Sequence, residues 1–404
     1  MGRVCATLND VRVAIFLVIS GLAHFLAARW LVSNLSERAR QKRRRLIFGV
    51  AGALSLFLAI TRVLSSVHET PTTRLIVAIA MLELGAVMIA LLPIAFTMLV
   101  LRAAARVAPK PAAPVTPAAP PEHVVTRRQA IERVAGVALF GGTTAALGWG
   151  MVRGRHSFAL EEVVVRVKDW PRTLEGYTIA QVSDVHVGSF VGERELDEGF
   201  ELVSRIRPDL MVATGDLVDF DSTIINPLLV RLLRANARDG AYAILGNHDH
   251  YAGAADVARR IRESDVRVLC NESVTIRGSD GGGFALAGVD DLQGRARRSP
   301  GFGGPDLSAA LRGLSPHVPK ILLAHQPKFI SESSGRVALQ LSGHTHGGQI
   351  NPGFRPADLV MEFVSGRYER NGSTLWVNRG FGVAGPPSRL GAAPEVTKIV
   401  IIAA

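Results

Sequence analysis

Three apolar runs restrict what the front of this chain can become: residues 13–32 (VAIFLVISGLAHFLAARWLV), 46–64 (LIFGVAGALSLFLAITRVL) and 75–101 (LIVAIAMLELGAVMIALLPIAFTMLVL). As a helix, each is long enough to cross a hydrocarbon core of about 30 Å, where no water satisfies an unpaired backbone. A membrane domain with three transmembrane helices is therefore expected over residues 1–107. A fourth stretch, residues 130–152, is richer in Gly and Ala and is expected to span as well.

Charge sets the orientation of these spans. Residues 1–155 hold 19 Lys and Arg against 6 Asp and Glu, a balance of +13, while the whole chain stands at +11, so the remainder is slightly acidic. Arg38, Arg40, Lys42, Arg43, Arg44 and Arg45 fill the first link, whereas the second has only Arg74 offset by Glu69. Basic residues near span ends stay on the cytoplasmic side, so the first link is inside. A second basic link carries Arg102, Arg106, Lys110, Arg127 and Arg128. With that link also inside, the fourth span delivers the residues after about 153 to the extracytoplasmic face of a multi-pass cell-membrane protein. The excess charge lies between apolar runs with no aromatic stacking surface, which argues against nucleic acid as a partner. Membrane lipid is the partner the composition implies, and no obligate protein partner is evident.

Residues 108–121 (APKPAAPVTPAAPP) are too poor in bulky apolar residues to build a core, and a Pro/Ala linker is assigned to 108–129. Arg127-Arg128 ahead of a weakly hydrophobic helix resembles a twin-arginine export signal, with simple anchoring charge as the alternative. His24, Arg29 and Glu83 lie within or near span ends. They are read as isolated groups rather than a transport relay. Cys5 and Cys270 are the only cysteines, so there is no disulfide framework to read.

From about residue 160 the texture changes to short β-branched runs alternating with helical patterns. Strands are expected at 162–167, 177–182, 209–214, 241–245, 283–289, 320–324, 338–342, 373–377 and 396–402, and helices at 193–206, 222–237 and 253–263. Five of the strands end on chemistry: Asp184-Val185-His186, Gly215-Asp216, Gly246-Asn247-His248-Asp249, Ala324-His325 and Gly343-His344-Thr345-His346. Ligands of α/β proteins collect outside the carboxyl ends of strands, so five strands can present one site. Imidazole and carboxylate are ligands that borderline and hard divalent metals share. A metal-dependent hydrolase is the leading reading.

The ordered set D-x-H, G-D, G-N-H-D, lone His and G-H-x-H resembles the calcineurin-like metallophosphoesterase superfamily, over about residues 160–404 and in particular its membrane-anchored subgroup. Asn378-Arg379-Gly380-Phe381-Gly382 and Pro386-Pro387-Ser388-Arg389 resemble the C-terminal segment of that subgroup. The resemblance implies a four-layer αββα sandwich, with a metallophosphoesterase domain at 156–404 behind the all-helical membrane region. It implies two divalent metal ions, with Mn, Fe or Zn suited to such ligands. One would be held by Asp184, His186 and His346, the other by Asn247, His325 and His344, with Asp216 bridging. His248 would serve the leaving oxygen, with Asp249 orienting its ring. His156, His250 and His317 have no counterpart and are read as surface or supporting residues. Arg379 and Arg389 are open between clamping phosphate and pairing with loop carboxylates such as Glu395.

The function expected is therefore hydrolysis of a phosphodiester or pyrophosphate bond, with a lipid-linked or cell-envelope phosphoester as substrate. Subgroup resemblance points to lipid-linked sugar nucleotides of the UDP-diacylglucosamine type, although an outward site does not meet a cytoplasmic nucleotide. The alternative is a non-catalytic metal-binding sensor or scaffold domain. A missing ligand or a missing His248 would favour it, and none is missing.

Overall fold

The computed structural model describes residues 2–33, 35, 37–65, parts of 72–99, 127–188, 190–277, 282–297 and 301–404. The chain falls into two compact units, Met1–Trp149 and Gly150–Ala404. In the front unit the first two apolar runs lie inside the helices Gly2–Ser33 and Glu37–Ser65, and the fourth inside Arg127–Val152. Among the described residues, Arg38–Thr61 and Arg133–His156 are helical, long enough and apolar enough to cross a membrane. Of the third run, Ile79–Leu91 is a shorter apolar helix. The rest of that run is only partly described, and linker residues 108–126 lie outside the described residues. Ala23, Leu58, Ala80, Leu84 and Val87 pack together. His24 and Glu83 are not isolated: His24 Nε2 meets Glu83 Oε1 at 2.9 Å, and its Nδ1 meets the Ser20 carbonyl at 2.8 Å.

The second unit is built on two six-stranded mixed sheets. One comprises β1 (Ala159–Val167), β2 (Tyr177–Val182), β3 (Leu210–Thr214), β4 (Ala241–Ile244), β5 (Arg267–Val268) and β12 (Glu395–Ala403), in the order β1-β12-β2-β3-β4-β5. The other comprises β6 (Glu272–Arg277), β7 (Gly283–Gly288), β8 (Lys320–Leu323), β9 (Leu339–Ser342), β10 (Gly366–Arg370) and β11 (Ser373–Val377), in the order β10-β11-β9-β8-β7-β6. β2, β3 and β4 run parallel, as do β7, β8, β9 and β11. Their carboxyl ends therefore point one way within each sheet.

Alternation along the strands divides the apolar residues into layers. Ile179, Leu210, Val212, Ile244, Phe284, Leu286, Ile321, Leu323, Leu339 and Leu341 form the core between the sheets. Their neighbours point outward. Ala180, Val182, Met211 and Ala213 meet Leu196 and Val203 of the helix Glu193–Ile206, Leu228 and Leu232 of Asn226–Arg234, and Val257 and Ile261 of Ala254–Arg262. Ala287, Leu322 and Ala324 meet Leu307, Ala310 and Phe329 on the outer side of the second sheet. The result is helix, sheet, sheet, helix. All nine strands expected from sequence are present; β5, β6 and β10 are additional.

Candidate metal centre

Strand parallelism brings five loops to one end of the two sheets. The loop after β2 continues to pair with the loop after β3: the amides of Asp184, His186 and Val187 donate to the carbonyls of Gly215, Asp216 and Leu217 at 2.9, 3.0 and 3.0 Å. Asp184, His186, Asp216, His344 and His346 all have positive φ, between 50° and 74°. That region is uncommon for residues with a β-carbon, at about 1 kcal/mol or more each, and it persists where surrounding contacts over-determine it. Five strained residues within one cluster indicate a backbone shaped around the direction of its side chains.

Two donor groups result. In the first, His186 Nε2 lies 3.1 Å from His346 Nε2, which lies 3.5 Å from Asp184 Oδ1. In the second, His325 Nε2 lies 3.2 Å from Asp216 Oδ2, 3.2 Å from Asn247 Oδ1 and 3.3 Å from His344 Nδ1. Asp216 Oδ2 is also 3.7 Å from His186 Nε2, so this carboxylate stands between the groups. Asp184, His186, Asp216 and His325 are almost wholly buried.

Hydrogen bonds fix which atoms are free to bind. His325 Nδ1 is 2.8 Å from the Thr214 carbonyl, which can only accept, so the proton of a neutral ring sits on Nδ1 and the Nε2 lone pair faces Asp216 and Asn247. Imidazole, carboxylate and amide lone pairs thus converge, an arrangement that a cation would satisfy. The donor set of imidazole, carboxylate and amide oxygen fits divalent metals such as Mn, Fe or Zn.

Electrostatics agree with a cation-binding cavity. Burial raises the Asp216 carboxyl, but His325 and then His186 outweigh it and hold it well below the ordinary carboxylate range. Burial lowers His325, and Asp216 outweighs that, so without metal this imidazole holds a proton well above the usual range. Burial, then Arg389 and His186, push His346 well below it. Burial and His325 lower His344. Neutral imidazole is the form that binds metal.

His248 stands beside these groups: its ring packs edge-on 4.5 Å from that of His186, and with His186 and Asp216 it brings a further set of donor atoms together. Its amide donates to Asp216 Oδ1 at 2.7 Å, and its Nδ1 lies 3.2 Å from Asp219 Oδ1 and 3.1 Å from the Asp219 carbonyl. Burial lowers its pKa, but Asp219 and Asp216 outweigh that and raise it to about 9. Asp219 itself is raised by burial and brought down to about 2 by His186 and His248. The half-exposed Phe220 ring packs 5.2 Å from the His248 ring.

Asp249 departs from its expected role. Its Oδ1 accepts from the amides of Leu217 and Val218 at 3.0 and 3.1 Å, and its Oδ2 from Gly246 at 2.8 Å. His248 and Asp249 are consecutive in the helix Asn247–Ala252, where neighbouring side chains point apart. Asp219 holds the His248 ring instead, and Asp249 ties the loop after β3 to the start of that helix. The two arginines are also resolved. Arg379 pairs with Glu161 and, at 2.7 Å, with Glu395. Arg389 is buried and gives its guanidinium hydrogens to the carbonyls of His346, Arg379, Gly380, Gly382 and Ala392. Both brace the loop around the site. His250 is buried against Asp290 at 2.8 Å, His156 pairs with Glu198 at 2.7 Å, and His317 is exposed.

Residues 177–348 match the family model for calcineurin-like phosphoesterase. The chain is 34% identical over 274 residues to a protein of Bos taurus named transmembrane protein with metallophosphoesterase domain. That match spans 65% of this chain and 61% of the bovine protein, so about two fifths of the relative lies outside it. YkuE, an uncharacterized metallophosphoesterase of Bacillus subtilis (strain 168), is 32% identical over 286 residues, which cover 68% of this chain and 96% of YkuE. Among solved structures, the 5'-nucleotidase precursor of Thermus thermophilus aligns with a TM-score of 0.37 at 13% identity, over 56% of this chain and 54% of that one.

Proposed function

Because the chain belongs to the calcineurin-like phosphoesterase family, we propose that it is a membrane-tethered two-metal enzyme that cleaves a phosphodiester or pyrophosphate bond of a lipid-linked or cell-envelope substrate. The observation that carries the two-metal reading is the pair of donor groups with Asp216 between them. Asp184, His186 and His346 would hold one ion, Asn247, His325 and His344 the other, with Asp216 shared. When bound, such ions supply Lewis acidity to phosphoryl oxygens and lower the pKa of water.

The chain's own residues provide the rest. His248, held protonated by Asp219, donates its proton to the leaving oxygen as the phosphorus–oxygen bond breaks. Asn247 contributes a neutral oxygen, which limits the anionic charge facing a phosphoester. Arg379 and Arg389 keep the loop 379–392 against His346 and leave phosphate binding to other groups. The apolar helices support tethering, and the asymmetry of basic links supports an extracytoplasmic catalytic unit.

The test is hydrolysis of p-nitrophenyl phosphate and bis-p-nitrophenyl phosphate by the full chain purified with its metal. Turnover of the diester above that of the monoester, falling at least about 10²-fold in Asp216→Asn, is expected. Failure of the metal-loaded wild type to cleave either ester overturns the proposal.

A further inference from the structure

Among the described residues, the segment after the G-H-T-H-G-G-Q turn carries the most exposed large apolar side chains of the second unit. Leu359 and Val360 are 81% and 83% exposed, Phe354 is 63% exposed and Met361 is 43% exposed. Water gains nothing from such a group of side chains, and contiguous apolar exposure marks an interaction surface. The segment nevertheless has a defined conformation. Its 3-10 turn Pro356–Leu359 is held by Arg355, which bonds Asp358 Oδ1 at 2.8 Å and Ser365 Oγ at 2.8 Å. Thr345, between His344 and His346, donates its hydroxyl to the Val364 carbonyl at 2.5 Å. Gly348 lies so close that a β-carbon there would meet Ala357 Cβ at 3.2 Å and Arg355 Cγ at 3.3 Å. The apolar tip is therefore fastened to the turn that carries two site histidines.

A second set of contacts ties the start of this segment to the end of an apolar helix. The Gly150 carbonyl, in the last turn of the apolar helix Arg127–Val152, accepts from the Arg389 amide at 3.2 Å. The next residue, Leu390, pairs with the start of the exposed segment: its amide donates to the Gln349 carbonyl at 2.9 Å, and its carbonyl accepts from the Asn351 amide at 2.7 Å. Gly150 lies near the end of a helix long and apolar enough to span, and the Leu390 pairing ties residues 349–351, just ahead of Phe354, next to the residue that meets Gly150. A span ends at a bilayer surface, and residues 349–351 are one backbone pairing removed from the residue that meets Gly150.

We propose that residues 354–361 form an interfacial lipid-docking loop, whose Leu359, Val360, Met361 and Phe354 enter the headgroup and upper acyl layer of the bilayer and bring the adjoining metal centre to membrane-embedded phosphoesters. This deepens the reading of the chain as a membrane-tethered phosphoesterase and rests on it. Arg355 is only one-third exposed and is paired, so apolar insertion rather than charge drives the contact. A membrane-embedded phosphoester is then drawn from the plane of the bilayer instead of from solution.

The experiment uses the full chain in vesicles of phosphatidylcholine and phosphatidylglycerol, with Cys5→Ser and Cys270→Ser as background. An environment-sensitive nitrobenzoxadiazole label is placed at Val360→Cys and, as control, at the exposed Arg312→Cys, which precedes β8 and so lies at the strand end opposite His325. Bromines on the acyl chains are expected to quench the label at position 360 several-fold more than at 312, and aqueous iodide to quench it less. Iodide quenching equal at both positions overturns the proposal, and so does shielding from iodide without bromolipid quenching, which would mean a protein covers the loop. In turnover, Leu359→Ser with Val360→Ser is expected to lower hydrolysis of a vesicle-embedded phosphodiester about tenfold while sparing soluble bis-p-nitrophenyl phosphate. Equal loss or equal retention on the two substrates contradicts it. Quenching needs no catalysis, so a docked loop in a protein that cleaves neither ester would sink the phosphoesterase reading and leave the loop standing.

Discussion

His248 is the residue to which the proposed chemistry assigns the leaving oxygen: its amide donates to Asp216, and its Nδ1 lies 3.2 Å from Asp219 Oδ1, a carboxylate that His186 Nδ1 also approaches, at 3.7 Å. His248→Ala is expected to lower turnover about 10²–10⁴-fold with metal content retained, and the loss should grow as the leaving group becomes more basic. A uniform loss across leaving groups would remove its role as proton donor. Asp219 and Asp249 separate in the opposite sense from the one their positions suggest. Asp249 gathers three backbone amides in the interior, so Asp249→Asn is expected to cost about 1–3 kcal/mol in chemical denaturation. Asp219→Asn should instead lower turnover with little change in stability. The cluster residues are legible in the sequence because His, Asp and Asn are side chains that ligate divalent metals and because each cluster follows an apolar strand. The partner of His248 is not, since Asp219 reaches it across the loop after β3 while Asp249 is merely adjacent in sequence.

At the scale of elements, two features hold the site in shape: strand ends that approach without side chains in the way, and the packed core between the sheets. Gly343 lies against Ser183 and the Asp184 carboxylate, so a β-carbon there would occupy the space of Asp184. Gly343→Ala is expected to abolish metal-dependent turnover while the far-ultraviolet circular dichroism stays native. Phe284, wholly buried, packs 4.9 Å from Trp170 and 5.2 Å from Tyr177, and Phe284→Ala should cost about 3–5 kcal/mol in thermal or chemical unfolding. Most of the nine strands are readable since they are apolar runs buried on both faces or nearly so, and β1 is readable from its β-branched alternation, with one face buried and the other exposed. β10 is not, because it alternates half-buried and exposed residues (GRYER) beside a turn, and β5 is only two residues long. The helix Asn247–Ala252 is hidden for a different reason: its six residues, NHDHYA, are mostly polar and show no apolar periodicity.

For the whole molecule, a basic, apolar front unit precedes a slightly acidic α/β unit, and the proposed reading is a catalytic domain tethered at a membrane. Protease added to intact cells is expected to cleave after residue 155, and protection there, with cleavage only after lysis, would reverse the orientation argued from the basic links. The apolar runs make the membrane reading available from sequence, whereas the contact of His24 with Glu83 depends on how helices pack and has no signature in spacing. On the proposed reading, one shared carboxylate, Asp216, unites two donor groups into a single two-metal centre. The most direct test is turnover of bis-p-nitrophenyl phosphate as metal-free protein is titrated with Mn, Fe or Zn and bound metal is counted. Activity that reaches its plateau only at two equivalents per chain is the predicted result, and full activity at one equivalent, or without metal, would contradict it.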